Sequence, residues 1–154
     1  MAGNNGVSIN WGGFKEAVER AGSNITDTQG LMIKIGMAMK GQTVRRFQTG
    51  ASPEGEAWAP VKNPRKGGNG RPRRGRVQPL VDTGRLRNSI SFSAAPTEVH
   101  VGSNLVYARI HQLGGQAGRG RQVTIPARPY LGLSEEDQEE IKALVQEHIA
   151  GAFR

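Results

Sequence analysis

The chain contains no cysteine among its 154 residues. That absence excludes a disulfide framework, a thiol nucleophile and a thiolate metal site. No stretch approaches the roughly 18 consecutive apolar residues that a membrane-spanning helix needs, so we expect no membrane partner. Aromatic residues make up only 5% of the chain, whereas glycine contributes 22 residues. This composition predicts that much of the chain lies outside a packed core.

The chain also lacks the signals of secretion and of metal binding. Its start does not have the basic and then apolar layout of a signal peptide, so we expect an intracellular protein. The three histidines, at positions 100, 111 and 148, are too widely spaced to predict a metal site. A chain of this length can bury about two-thirds of its unfolded surface, which is enough for one core. We therefore predict a single domain over residues 1–154, with no metal ion and no cofactor.

Positive charge is concentrated in one stretch of the chain. There are 21 Lys and Arg against 13 Asp and Glu, a net charge of +8. Residues 62–76 contain no acid and carry most of the excess through Lys62, Arg65, Lys66, Arg71, Arg73, Arg74 and Arg76. Glycine and proline fill the same stretch, which leaves it almost no apolar surface. Burial therefore cannot offset the conformational entropy that the stretch would lose on ordering. We predict a flexible loop here, called the basic segment below.

Two interpretations of the basic segment remain open. It is either a solvated loop that its charge keeps soluble, which requires no ligand, or a contact for a polyanion. Mobile Lys and Arg without interleaved aromatic rings suit nonspecific attraction to phosphates by counterion release. Base reading and strand stacking would need placed side chains and rings. The sequence therefore predicts no sequence-specific recognition of nucleic acid.

The spacing of apolar residues predicts an α+β domain with a small mixed or antiparallel sheet and long Gly/Arg-rich loops. Alternating residues predict a strand over 7–11, a hairpin over 89–102 and an extended edge segment over 123–129. Steps of three and four residues predict helices over 14–21, 27–48 and 105–113, and a C-terminal amphipathic helix that begins after Ser134. The glycine pair at 114–115 is expected to end the third of these helices. Residues 114–121 are predicted to be a second Gly/Arg loop.

Some single residues carry finer predictions. Gly36 and Gly41 interrupt the long helix at a cost of about 1 kcal/mol each relative to alanine, so we expect another backbone to pack closely there. Asp82 or Thr83 is expected to cap a short helical turn. His111 is expected to hydrogen-bond at a helix end, because no matched acid or nucleophile accompanies it.

One triplet, Asp82-Thr83-Gly84, resembles the active-site triplet of aspartic proteases, in which two aspartates share a proton to activate water. A chain of this length with one triplet would have to dimerise. Arg85 and Arg87 follow at once, and positive charge beside such a pair opposes the shared-proton state. A capped turn explains the triplet more simply. The sequence contains no phosphate-binding loop or serine elbow that would indicate other chemistry.

Four phrases occur in order along the chain. The first is Phe47 followed by Ser-Pro-Glu-Gly at 52–55 and Trp-Ala-Pro at 58–60, and the second is Pro-Leu-Val-Asp-Thr-Gly-Arg-Leu-Arg-Asn-Ser-Ile at 79–90. The third is Val-Gly-Ser at 101–103 with Tyr-Ala at 107–108 and Ile-His-Gln-Leu-Gly-Gly at 110–115. The fourth is Ile-Pro-Ala-Arg-Pro-Tyr-Leu-Gly at 125–132. Together they resemble the phage virion morphogenesis family, the tail-completion proteins of Mu-like and P2-like tailed bacteriophages. The resemblance covers the chain from about residue 30 onwards, and the order of the phrases makes it far more specific than one phrase alone.

The resemblance implies a non-enzymatic virion component that acts in tail completion and head–tail joining at the phage neck. It implies a ring of identical subunits, expected to be a hexamer and made in the bacterial host cytoplasm. The implied partners are head-connector or adaptor proteins, the tail tube or its terminator, and genomic DNA in the lumen, which the basic segment is expected to face. An edge segment is expected to make subunit or partner contacts through Arg128, Pro129, Tyr130 and Leu131. The competing interpretation is a nonspecific DNA-binding module that uses the basic segment.

Neutralising the seven cations of the basic segment tests its predicted contact with DNA. Each Lys or Arg that contacts a phosphate contributes about 0.9 to the slope of log affinity against log salt concentration. We expect the neutralised variant to bind duplex DNA more weakly and with a flatter salt dependence, measured by fluorescence anisotropy across a salt series. An unchanged slope would contradict the prediction.

Overall fold

The computed structural model describes residues 7–9, 27–62 and 78–152. In chain order their elements are β1 (Val7–Ile9), α1 (Thr28–Thr49), α2 (Arg85–Asn88), β2 (Ile90–Ala95), β3 (Glu98–Ser103), α3 (Ala108–Leu113), β4 (Gly115–Ala117), a 3-10 turn (Arg119–Arg121), β5 (Val123–Ile125) and α4 (Glu135–Ala152). These helices and antiparallel strands confirm the predicted α+β class. The predicted helix over 14–21 and the basic segment after Lys62 lie outside the described residues.

The main sheet has three antiparallel strands in the order β1-β3-β2. β2 and β3 form the predicted hairpin, with Phe92 opposite Val101, and β1 pairs along the other edge of β3. Successive side chains of a strand point to opposite faces, and Ile90, Val99 and Val101 are buried on the face that meets α1. The core therefore lies between this sheet and the first long helix.

α1 confirms the long helix that the sequence predicts. The Asp27 side chain accepts a hydrogen bond from the backbone N–H of Gly30 at 2.8 Å and caps the N-terminus. Gly50 caps the C-terminus in the left-handed region, with φ 70°. Between the caps, buried apolar side chains recur at three- and four-residue steps. They include Leu31, Met32, Ile35, Met39 and Phe47.

Gly36 marks a close approach between α1 and the sheet. A Cβ at this position would lie 2.3 Å from Cδ2 of Phe92, which is well inside contact distance. The neighbour is an aromatic side chain of β2, whereas the sequence predicted a second backbone. At Gly41, no atom of the described residues lies within 4 Å of the same position. The prediction of close packing at Gly41 is therefore wrong.

α4 confirms the predicted C-terminal amphipathic helix. Ser134 Oγ accepts from the backbone N–H of Asp137 at 3.0 Å, and the Asp137 carboxylate accepts from the backbone N–H of Ser134 at 2.7 Å. This reciprocal pair is a capping box with aspartate in the acidic position. Ile141 is fully buried, and Leu144 and Val145 are partly buried against the core. Because α4 also packs on α1, the two long helices share that core.

The cap of the short helix α2 differs from the prediction. Gly84, at φ 74°, occupies the N-cap position, so neither Asp82 nor Thr83 does. A left-handed residue is needed there to turn the chain into the helix, and glycine adopts that conformation at no steric cost. Thr83 contributes its hydroxyl instead, which accepts from the backbone N–H of Arg85 at 3.3 Å.

A second, two-stranded sheet occupies part of the chain that was predicted to be a loop. β4 pairs antiparallel with β5, with Gly115 opposite Ile125 and Ala117 opposite Val123. The glycine-rich sequence of residues 114–121 predicted a loop here and not a strand, because glycine is depleted in strands. Gly114 ends α3 at φ 73°, as the glycine pair predicted.

Alanine substitutions at the two glycines of α1 separate helix propensity from packing. Alanine is about 1 kcal/mol more favourable than glycine inside a helix, so Gly41→Ala is expected to raise the free energy of unfolding by up to about that amount. Gly36→Ala gains the same propensity but drives a methyl group into the Phe92 ring. Because overpacking costs about 1–3 kcal/mol, we expect Gly36→Ala to be less stable than Gly41→Ala by about 2 kcal/mol.

Urea denaturation of the parent and of both variants measures these differences. Equal stabilisation by the two substitutions would mean that Phe92 does not pack against Gly36 as described.

Candidate interaction surface

Arg46 is a charged residue in the core. It lies on the buried face of α1 and is 8% exposed. Its guanidinium donates hydrogen bonds to the backbone carbonyls of Tyr130 at 3.1 Å and of Gly132 at 3.0 Å. It also forms an ion pair with the carboxylate of Asp137. One side chain therefore ties α1 to the segment before α4 and to α4 itself.

Asp137 belongs both to this ion pair and to the N-terminal cap of α4. It is 1% exposed, and its Oδ2 accepts from both the Arg46 guanidinium and the backbone N–H of Ser134. A buried charge that loses its partner keeps the cost of its lost hydration. The ion pair and the helix cap therefore depend on each other.

The segment Arg128–Leu131, predicted to be available for contacts, contributes most of its side chains to the interior of the chain. Arg128 is 8% exposed, Tyr130 0% and Leu131 4%. These three side chains lack the accessibility that was expected of them, because they pack against the chain's own core. Pro129 is partly exposed. Contact between this segment and another protein stays a prediction.

Arg128 attaches the segment to the connector that follows α1. Its Nε donates to the carbonyl of Ala59 at 2.7 Å, and its Nη2 donates to the carbonyl of Pro60 at 3.1 Å. Burial lowers the pKa of Arg128. The guanidinium is thus committed to two backbone carbonyls, which have no strand partner in this extended stretch.

Tyr130 belongs to an aromatic cluster in which the Phe47 ring contacts both of the others. Its ring centroid is 5.2 Å from that of Phe47, which in turn is 5.6 Å from that of Trp58. The Tyr130 hydroxyl donates to the carbonyl of Ala108 at 3.0 Å, and Trp58 Nε1 donates to the carbonyl of Pro129 at 2.8 Å. Burial raises the pKa of Tyr130 to about 12. The phenol therefore remains protonated and able to donate this hydrogen bond.

Gln112 is a contact residue that sequence reasoning missed. Its Oε1 accepts from the backbone N–H groups of Tyr130 and Leu131, each at 3.0 Å. Its Nε2 donates to the carbonyl of Leu131 at 2.9 Å. The amide thus binds the segment much as a neighbouring strand would. The signal in the sequence was the position of Gln112 inside one of the four family-like phrases, at 110–115.

His111 was predicted to hydrogen-bond at the end of α3, and it does so through its backbone carbonyl. Its buried Nδ1 has no hydrogen-bond partner in the described part of the chain, and its ring lies edge-on to Tyr107 at 5.9 Å. Burial and then the charge of Arg128 lower the pKa of His111. The backbone carbonyl of His111 accepts from the N–H of Arg128 at 2.8 Å. His111 thus serves this region through its ring packing and its backbone.

A groove of about 920 Å³ runs between β5, α3 and the turn before α2. Apolar lining comes from residues such as Leu80 and Ile125, and Lys62 and Arg85 add positive charge. The Asp82-Thr83-Gly84 triplet lies along it and forms the turn into α2. Lys62 is exposed and is the one member of the predicted basic set whose side chain the structure describes.

The described residues provide contacts between segments and no recognisable reaction centre. Within the stretches 7–9, 27–62 and 78–152, no group of three or more His, Asp or Glu residues is placed to hold a metal ion. No helix in those stretches is long and apolar enough to cross a membrane. The polar side chains of Arg46, Gln112 and Arg128 bind backbone carbonyls, and Arg46 also binds Asp137.

Comparison with known proteins identifies the class. The profile of the phage virion morphogenesis family matches residues 9–150. The chain therefore belongs to this family, whose members have a structural or morphogenetic role in phages.

Two relatives illustrate the membership. The chain is 38% identical over 132 residues to Mu-like prophage FluMu G protein 2 of Haemophilus influenzae, which covers 86% of each chain. It is 35% identical over 72 residues to the putative capsid assembly protein G of Escherichia phage Mu, which covers 46% of each chain. No solved structure matches the chain.

Asp137→Asn tests the buried ion pair. The amide keeps the shape of the carboxylate but leaves the Arg46 charge buried without compensation, so we expect the free energy of unfolding to fall by about 3–5 kcal/mol. The adjacent Glu136→Gln is the matched control. Glu136 pairs with Arg45 at 3.7 Å with both side chains more than half exposed, and such pairs contribute about 0–1 kcal/mol.

Denaturant unfolding of the two variants at neutral pH measures both effects. Similar small losses in the two variants would show that Arg46 and Asp137 are not coupled in the core.

Proposed function

We propose that the protein completes the phage tail and joins it to the head, as a ring of identical subunits at the neck. The match to the phage virion morphogenesis family over residues 9–150 carries this proposal. The expected copy number is six. The expected neighbours are head-connector or adaptor proteins on one side and the tail tube or its terminator on the other, with genomic DNA passing through the ring.

The internal architecture supports a role as an assembly subunit. Arg46, Gln112 and Arg128 each join chain segments that are far apart in sequence, through hydrogen bonds to backbone carbonyls. A joint in a virion must bear load between two larger bodies, and a subunit with cross-linked segments resists deformation. The buried polar groups are used for this internal bracing.

The distribution of charge supports contact with DNA in the proposed lumen. Lys62, at the start of the basic segment, is exposed beside the groove. The six further cations of that segment follow without an intervening acid. Attraction between such a segment and phosphates is nonspecific and depends on salt. That behaviour suits a passage for a genome of any sequence.

A second candidate function is capsid assembly, which the name of the relative in Escherichia phage Mu favours. Both candidates are structural, and they differ in the step that fails when the protein is missing. Loss of a capsid assembly protein leaves few or malformed heads. Loss of a head–tail joining protein leaves filled heads and separate or overlong tails.

Electron microscopy of particles from a phage with this gene deleted distinguishes the two. We expect filled heads and unjoined tails in the lysate, and joined infectious particles after purified protein is added back. Malformed or missing heads would favour capsid assembly. Normal joined particles without the gene would overturn both candidates.

A protein without either role in the virion serves as the add-back control, because it should leave the heads and tails separate. Joining efficiency is measured as the number of plaques per filled head, before and after the protein is added.

A further inference from the structure

The β4–β5 hairpin, residues 115–125, is an exposed element that, among the described elements, packs mainly on itself and on the turn at its tip, while β5 lines the groove. Its strands are three residues long and pair with each other, and most of its residues are exposed. Two-stranded hairpins are marginally stable in water unless another surface covers them. Val123, an apolar residue at the edge of the groove, is 54% exposed. The hairpin therefore presents an apolar and backbone surface that a partner can cover.

The hairpin is also strongly basic. Between residues 99 and 134 the chain contains arginines and no Asp or Glu. Arg119 and Arg121 are exposed in the 3-10 turn at the tip. Arg121 holds a positive φ of 55° next to Gly120 at 71°, a conformation that favours glycine. The tip thus keeps two arginines on a tight turn where neither has an acidic neighbour in sequence.

α4 carries the opposite charge. Its sequence has six acids and one lysine. Asp137 is used inside the core with Arg46, whereas Glu135 and Glu139 are exposed one turn apart. Glu139 also forms an exposed ion pair with Lys142 at 2.6 Å, and such surface pairs are weak. The exposed side of α4 that carries Glu135 and Glu139 is called the acidic face below. The apolar side of the helix is turned to α1. One subunit therefore carries a basic projection and an acidic helix on separate elements.

We propose that the hairpin of one subunit docks on the acidic face of α4 in the next subunit of the ring. This inference rests on the ring proposed above. A closed ring needs a heterologous interface, in which two different patches of the same chain complement each other. The hairpin and the acidic face satisfy that requirement in charge. Hairpin-to-hairpin contact would instead bring the tip arginines of two copies together, and like charges oppose such contacts.

The same observations favour a protein partner over DNA for the hairpin. Phosphates would use the two arginines but would leave Val123 exposed to water. A second copy covers Val123 and offers carboxylates to the tip. Contact with DNA is then left to the basic segment, and the hairpin sets the spacing of subunits.

Cross-linking tests this geometry directly, because the chain has no native cysteine. Gln122→Cys places a thiol on the hairpin, and Gln138→Cys places one on the exposed side of α4. The double variant is assembled into particles by add-back and treated with a short bis-maleimide linker. We expect a ladder of covalent multimers up to the full ring on a denaturing gel, whereas either single variant gives at most a covalent dimer.

The control for position is Arg109→Cys in combination with Gln138→Cys, because Arg109 is exposed on α3 outside the hairpin. It should give no ladder. Joined particles in which the hairpin and α4 never cross-link would overturn the inference and leave the proposed function intact. Joined particles in the absence of the gene would overturn the proposed function itself.

Charge reversal tests the energetic part of the inference. Arg119→Glu with Arg121→Glu, and separately Glu135→Lys with Glu139→Lys, are each expected to lower joining efficiency by about tenfold or more, because like charges then meet. All four substitutions in one chain restore opposite charges across the interface, so we expect recovery to near the parent value. Arg109→Glu is the control and should leave joining unchanged.

If the variant with all four substitutions did not recover joining efficiency, the docking of the hairpin on α4 would be overturned. If the two arginine substitutions weakened DNA binding in the anisotropy assay and the variant with all four substitutions stayed defective in joining, the hairpin would instead be a DNA contact.

Discussion

The buried ion pair between Arg46 and Asp137 is the interaction on which the C-terminal third of the fold depends. Both groups are almost fully removed from water, so each is tolerable only because the other is present. Arg46 also binds the carbonyls of Tyr130 and Gly132, which lie in an irregular stretch. The pair thus sets the position of α4, its cap and the approach to it relative to α1.

Around this pair, side chains satisfy backbone groups that have no strand partner. Arg128 and Gln112 bind the carbonyls of neighbouring segments, and Trp58 does the same for Pro129. Buried backbone groups must be paired, and prolines in this region prevent a regular ladder. The result is a braced body from which the β4–β5 hairpin extends. Such a division between body and arm suits the assembly role proposed above.

Local patterns predicted the elements whose signals are local. The three- and four-residue spacing in α1 and α4 and the alternation in the β2–β3 hairpin were enough for correct assignments. Burial of Arg128 and Tyr130 was not predictable in the same way, because their partners lie tens of residues away in the sequence. The strand β4 was hidden by its glycine-rich composition. The basic segment lies in part of the chain outside the described residues, so its role rests on composition.

A cryo-electron microscopy reconstruction of the intact phage, focused on the neck, tests the central claim most directly. We expect a closed ring of copies of this chain between the head connector and the tail. In that ring, the hairpin of each subunit should lie against α4 of the next, and the basic segments should face the DNA. Density for the chain in the capsid shell, or its absence from the neck, would contradict the proposed role at the head–tail junction.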